Sequence, residues 1–283
     1  MSKSAGQFRI KFWGTRGSIP VPGHGTVKYG GNTACVEVRC GDELVIIDAG
    51  SGIVGLGMEL LKEMPVKASI LFSHVHWDHI QGMPFFQPAY ISGNEFKLYD
   101  KGNWGIKLEQ ALEWQMQSPS FPVTLEEAGA RMDYVDVSDF STFNVGDTEQ
   151  ITIRTAELRH TAKAFGFRIE YDGKSMVYAT DNEGLPKPDK KLVDLARDAD
   201  LLIHDAQYTS REYHGSNGHS KKNWGHSTPE AAVEIALAAN VKKLVLFHHD
   251  PYHDDATIER MSESTAAILP NTIAASEGMV IEL

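Results

Sequence analysis

The chain has 283 residues, 42% hydrophobic and 23% charged, an ordinary globular composition with ample length for a core. Its formal net charge of −11 opposes attraction to a long polyanion such as duplex DNA or tRNA, but not binding of a small phosphate ester beside bound cations. No apolar run approaches the ~20 residues that span a bilayer, and the opening Met-Ser-Lys-Ser-Ala-Gly-Gln has no apolar signal region, so a soluble, cytoplasmic protein without membrane contact is expected.

Residues 7–13 alternate as a strand, and Gly14 to Gly31 is a Gly- and Pro-rich loop. Residues 34–39 and 43–48 read as a hairpin around Gly41-Asp42. Cys35 and Cys40 share that stretch at a separation that puts them on opposite faces, which argues against a disulfide or zinc knuckle. A glycine-rich turn from Gly50 to Gly57 leads into a short helix over 56–63, and residues 67–73 form the next strand. A strand near 96–99 and a helix near 106–116 follow. Strands recur around 131–137, 150–157, 164–171 and 174–179. Helical spacing runs through Leu192, Leu195, Ala196 and Ala199, and 200–205 is a buried-type strand. Residues 227–239 make the clearest helix, with Ser227 or Thr228 as cap, Pro229 in the first turn and Asn240 at its end. Residues 242–247 are another apolar strand, ending at His248. The pattern predicts two sheets with helices packed outside.

The strand at 67–73 runs directly into His74-Val-His-Trp-Asp-His, placing three imidazoles and a carboxylate within six residues. Imidazole and carboxylate suit borderline and hard divalent ions, and four such side chains are too many for one tetrahedral ion that also binds water. The cluster therefore suggests two neighbouring ions. Four more residues of ligand type end apolar strands: Asp48, His160, Asp181 and His248. Strand ends at one sheet edge converge on one site even when far apart in sequence.

The spacing His-x-His-x-Asp-His, then a distant His, an Asp and a final His, resembles the metallo-β-lactamase-fold hydrolases over nearly the whole chain. Asp48 in Ile-Asp-Ala-Gly-Ser-Gly is similar to that family's early Asp-x-Gly element. Phe12-Trp-Gly-Thr-Arg-Gly-Ser-Ile-Pro, Tyr29-Gly-Gly-Asn-Thr, Leu201-Leu-Ile-His-Asp-Ala and Gly225-His-Ser-Thr-Pro-Glu-Ala-Ala resemble the branch that includes RNase Z and related phosphodiesterases. The resemblance implies an α/β (α+β) fold, a four-layer αββα sandwich forming a single domain over 1–283. It also implies two divalent ions, Zn²⁺ first and Mn²⁺ as the substitute. His74, His76 and His160 would bind one ion and Asp78, His79 and His248 the other, with Asp181 and a water or hydroxide bridging them. Asp48 would stand behind the ligands and orient them. Asp78 and His226 would be catalytic, His226 as a proton donor rather than a ligand. Leu246-Phe247-His248, with Pro251 in the following turn, fits the last ligand better than His249 does. A homodimer is implied at the family level alone.

Two ions ~3.5–4 Å apart activate a bridging water and hold a phosphoryl oxygen. The expected reaction is hydrolysis of a small phosphodiester, such as a nucleotide or cyclic nucleotide. The alternatives are a lactone or thioester on the same ions, or an RNase Z-like RNA 3′ endonuclease. RNA binding calls for a basic arm. The candidate insertion, 101–130, instead sets Glu109, Glu113, Glu126 and Glu127 against Lys101 and Lys107. Trp104, Trp114 and Trp224 are candidates to stack a base, Trp224 first because it lies two residues before His226. The polar segment 208–223 reads either as a lid or as a surface loop. His24, His214, His219 and His253 are expected to be exposed, and His204 to be packed and hydrogen-bonded.

Overall fold

The computed structural model describes residues 6–101, 105–147, 150–216 and 218–283. The first strands are β1 (Phe8–Gly14), β2 (Cys35–Cys40), β3 (Glu43–Ile47), β4 (Lys67–Leu71), β5 (Glu95–Asp100) and β6 (Arg131–Asp136). They are followed by β7 (Thr142–Val145), β8 (Ile151–Leu158), β9 (Ala164–Tyr171), β10 (Lys174–Ala179), β11 (Leu201–Asp205), β12 (Leu244–Phe247), β13 (Thr272–Ala274) and β14 (Val280–Glu282). These form two seven-stranded sheets, ordered β14-β1-β2-β3-β4-β5-β6 and β13-β12-β11-β10-β9-β8-β7. In each sheet an antiparallel half changes to a parallel half, at β3 in the first and β10 in the second. Parallel neighbours end at the same edge, so the loops after β3 and β4 gather on one side, as do those after β10, β11 and β12.

The helices are α1 (Gly52–Leu60), α2 (Trp77–Ile80), α3 (Leu108–Gln115), α4 (Lys190–Ala196), α5 (Ser210–Tyr213), α6 (Pro229–Ala238) and α7 (Asp255–Ala266). Side-chain alternation along the strands sorts the apolar residues into three layers. Phe12, Val36 and Ile47 meet Phe167, Tyr178, Ile203 and Phe247 between the sheets. Ile46, Ile70 and Leu98 face outward onto Ile53, Leu56 and Leu112 of α1 and α3. Val177, Leu202 and Leu244 face outward onto Leu192, Ala232 and Ile258 of α4, α6 and α7. The result is the expected αββα order. Cys40 lies in the central layer and Cys35 in an outer one, and both are free and buried.

The boundaries differ from expectation where packing overrides local signals. Helix α1 starts at Gly52, ahead of the expected 56, because its glycines serve close approach rather than a turn. A Cβ on Gly52 would lie 2.6 Å from the Trp13 carbonyl carbon and oxygen. Thr228, not Ser227, caps α6 by accepting from Ala231 N, while Ser227 donates its hydroxyl to Asn182 O. Strands β7, β13 and β14 and helix α7 escaped the sequence reading. A signal existed for α7, in the Asp254 cap and the buried Ile258, Met261 and Thr265. None existed for β14, which is three residues held by pairing with β1. Among the described residues no helix is long and apolar enough to cross a membrane.

The intersheet layer can be probed away from the site. Phe167 is 1% exposed in that layer, so Phe167→Ala should cost about 3–5 kcal/mol, read as a lowered midpoint in urea unfolding.

Candidate metal centre

Three of the expected strand-end residues turn into the site through an unusual backbone. Asp48 follows β3 at φ 60°, Asp181 lies just past β10 at φ 58°, and His248 follows β12 at φ 62°. Left-handed conformations cost non-glycine residues about 1–3 kcal/mol each and persist where surrounding contacts fix them. Here they bring side chains from both sheets to one point.

Hydrogen bonds at the far ring nitrogens then aim the imidazoles. His79 Nδ1 donates to Asp48 Oδ2 at 2.8 Å, His160 Nδ1 to the Gly225 carbonyl at 2.8 Å, and His248 Nδ1 to Gln207 Oε1 at 3.0 Å. In the neutral ring that arrangement leaves Nε2 as a lone pair. Yet His79 Nε2 stands 3.3 Å from His248 Nε2, and His160 Nε2 stands 3.0 Å from His76 Nδ1. His74 Nε2 is buried with no hydrogen-bond partner.

Carboxylates complete two groups. Asp181 Oδ1 lies 3.7 Å from His74 Nε2 and 3.5 Å from His160 Nε2, while its Oδ2 lies 3.2 Å from Nε2 of both His79 and His248. Asp78 Oδ2 lies 3.4 Å from His79 Nε2 and 3.2 Å from His248 Nε2, and also accepts Ser18 N–H at 2.6 Å. The donor atoms of His74, His76, His160 and Asp181 all fall within 4.8 Å of one another, and so do those of Asp78, His79 and His248. A tetrahedral ion with bonds of about 2.0–2.1 Å separates its ligands by about 3.4 Å, so these spacings suit divalent cations.

The electrostatics of His74, His76, His160, Asp78 and Asp181 agree with that fit. Burial holds the His74 imidazolium well below its ordinary range, helped by neighbouring His79. Burial, then His160, takes His76 down to about 4, and burial also lowers His160. Burial opposes ionisation of Asp78 and Asp181, but the histidines around them outweigh it and hold both acids well below the usual carboxylate range. Neutral imidazoles and ionised carboxylates are the forms that bind a cation. For His79, burial is overcome by Asp78, Asp181 and Asp48, so a proton is held there well above the usual range.

His226 stands beside this cluster, stacked 5.0 Å from the His248 ring. Its Nδ1 is 2.8 Å from Asp205 Oδ2 and so is already engaged. Asp205 is fully buried and also accepts N–H groups from Asp181 at 3.1 Å, Gln207 at 3.1 Å and Ser227 at 2.9 Å. Asp205 escaped the sequence reading, although it ends an apolar strand just as Asp48 does. Gln207 and Tyr178 escaped too. Behind the cluster, Asp48 accepts Ser73 N–H at 2.7 Å, Ser73 Oγ–H at 2.8 Å and Tyr178 O–H at 2.7 Å. Glu183 fixes the loop that carries Gly225, accepting Gly225 N–H at 2.6 Å and Asn223 N–H at 3.0 Å.

The remaining histidines sort by contact. His249 Nε2 donates to Ala275 O at 2.9 Å, so the ring faces away from the cluster that holds His248. His204 is buried and donates to the Asp205 carbonyl at 2.7 Å, as expected. His24, His214 and His219 are exposed. His253 is not: it is 5% exposed, its Nε2 is 3.0 Å from Glu212 Oε1, and its carbonyl accepts from the buried Arg16. These contacts override its loop setting. Trp224, Trp114 and Trp77 are half-exposed or more, and Trp104 lies outside the described residues. A cavity of about 700 Å³ near Arg9, Glu37, Arg39 and Lys67 lies at the opposite strand ends and is lined by none of the clustered histidines and acids.

The family model for the β-lactamase superfamily domain matches residues 44–249. The chain belongs to this family. It is a metal-dependent hydrolase of the metallo-β-lactamase fold. A relative named ribonuclease Z, from Archaeoglobus fulgidus, is 27% identical, with 98% of each chain covered. Among solved structures, the metallo-β-lactamase-fold protein YhfI from Bacillus subtilis superposes with a TM-score of 0.74 at 16% identity, covering 98% of this chain and 100% of that one. A diphosphatase from the PhnP family gives 0.69 at 21% identity, with 98% of each chain covered.

Gly225 offers a direct test of the geometry. It has φ +88°, and a Cβ there would lie 2.2 Å from His160 Nδ1. Gly225→Ala should displace that ring and lower metal content per chain, measured by mass spectrometry of the purified protein.

Proposed function

We propose that the chain is a phosphodiesterase for small nucleotide or cyclic nucleotide diesters, using two Zn²⁺ ions, with Mn²⁺ as a substitute. His74, His76 and His160 would hold one ion, Asp78, His79 and His248 the other, and Asp181 would touch both. Imidazole and carboxylate without thiolate suit either metal. When bound, such a pair supplies Lewis acidity and a water acidic enough to attack near neutral pH.

The observation that carries the diester reading is the Asp205–His226 pair. Burial disfavours the His226 imidazolium, but Asp205 outweighs it by charge and hydrogen bond, with Asp181 adding to it, and raises its pKa to about 9. That rise favours the doubly protonated ring. Nδ1–H is fixed by Asp205, and Nε2–H is left to protonate a departing alkoxide. Asp78, pinned by Ser18 N–H, orients the attacking water. Asp48, engaging His79 Nδ1 at 2.8 Å, would keep Nε2 free to hold an ion, a type of support worth ~10–100-fold in affinity or activity. Trp224, 50% exposed and two residues before His226 in the chain, is the candidate to stack a base.

Small size of the substrate is supported by charge. The net charge is −11, and the described part of 101–130 presents Glu109, Glu113, Glu126 and Glu127, while Lys101 is paired with Glu157 at 3.1 Å. The ribonuclease Z relatives favour a second reading, cleavage of RNA near a 3′ end.

Purified protein with Zn²⁺ or Mn²⁺ should hydrolyse bis-p-nitrophenyl phosphate. Absence of turnover with every divalent metal tried, or turnover of lactones alone in a parallel assay, counts against the reading. Efficient cleavage of a 3′-extended tRNA precursor, but of no small diester, selects the RNA reading instead. His226→Ala should retain metal and lose about 10²–10⁴-fold in turnover, whereas His76→Ala should lose metal and activity together. An intact rate in His226→Ala removes the proton donor.

A further inference from the structure

One cation near Tyr208 and Trp224 has no use in the chemistry above. Lys221 lies on the turn into Trp224, whose N–H donates to the Lys221 carbonyl at 3.2 Å. The Lys221 ammonium stands 3.9 Å from the centre of the Trp224 ring and 5.7 Å from that of Tyr208. Tyr208 in turn meets His226 edge-on, with ring centres 5.8 Å apart. Ammonium, indole, phenol and imidazole therefore follow one another in sequence of contact, with the buried Tyr208 between Lys221 and His226. Among the described residues no carboxylate pairs with Lys221, although the chain has 38 acidic residues against 27 Lys and Arg. Charges of both signs stand nearby, since Asp250, Asp205, Glu212 and Glu183 all act on Tyr208. Arg211 and Lys222 lie in the same segment, and the intervening Glu212 is engaged by His253 and Thr209.

A lysine resting on an exposed ring is weakly held, whereas a phosphate oxygen offers it a charge-assisted hydrogen bond. An arriving phosphate would draw the ammonium off the indole and free that face for a base. We propose that Lys221 and Trp224 form a subsite for a second, non-scissile phosphate and its nucleobase. Lys221 thereby sets specificity, favouring diesters with an additional phosphate over cyclic mononucleotides, which have one. The inference rests on the phosphodiesterase reading for its substrate class.

The test compares thymidine 5′-(p-nitrophenyl phosphate) with the same compound bearing a 3′-phosphate. In Lys221→Gln, the ratio of the two kcat/KM values should fall about tenfold from a preference for the 3′-phosphorylated ester, and Lys221→Arg should restore most of it. An unchanged ratio overturns the proposal even if both rates drop. Binding is read separately, by indole fluorescence with thymidine 3′,5′-bisphosphate. Wild type should be quenched, Trp224→Phe should not, and Lys221→Gln should bind about tenfold more weakly. If no diester is turned over, the phosphodiesterase reading fails while this titration still decides on Lys221. A bisphosphate that leaves wild-type fluorescence unmoved overturns the subsite.

Discussion

Nitrogen lone pairs that face one another across a buried carboxylate are the constraint on which the site depends. His79 and His248 present Nε2 to each other at 3.3 Å, and His160 presents Nε2 to His76 Nδ1 at 3.0 Å. With Nδ1 of His79, His160 and His248 already engaged, these inward nitrogens are placed to share either a proton or a cation. Asp181, fully buried, turns one oxygen to each group. A buried acid is expensive in a protein interior unless compensated, and here the imidazoles around Asp181 outweigh burial and keep it ionised.

Both sheets contribute to holding that arrangement. The first supplies Asp48 and the loop from His74 to His79; the second supplies Asp181, Asp205 and His248. Tyr178 of β10 crosses the intersheet layer to donate to Asp48, so one hydrogen bond joins the sandwich interior to a residue that orients His79. Asp205 does the same for His226 while accepting the Asp181 backbone N–H. Strain in the left-handed Asp48, Asp181 and His248 is sustained by these networks. Interior packing and site chemistry are therefore coupled at the ends of β3, β10 and β12.

The alternation of apolar residues made the strands legible, and the dense His74–His79 run made the chemistry legible. Asp48, His160, Asp181 and His248 stood out because each ends an apolar run. Asp205 ends one too, but an acid after a strand is common and its role appears only beside His226. Helix α1 was shifted because glycines at 52, 55 and 57 read as a turn, whereas they let the helix approach Trp13 and Phe86. His253 read as a surface residue because its partners, Glu212 and the buried Arg16, lie 41 and 237 positions away.

The sequence by itself determined which side chains are available for metal chemistry and which segments alternate as strands, because both are local properties of residue type and period. It also carried enough motif to indicate the fold. Only the tertiary structure decided that His248 rather than His249 joins the cluster, since adjacent residues point apart once φ at His248 is left-handed. It alone decided which ring nitrogen of each histidine faces inward, because the acceptors Asp48, Gly225 and Gln207 come from distant strands and loops. Those choices follow from long-range packing, which no spacing along the chain encodes.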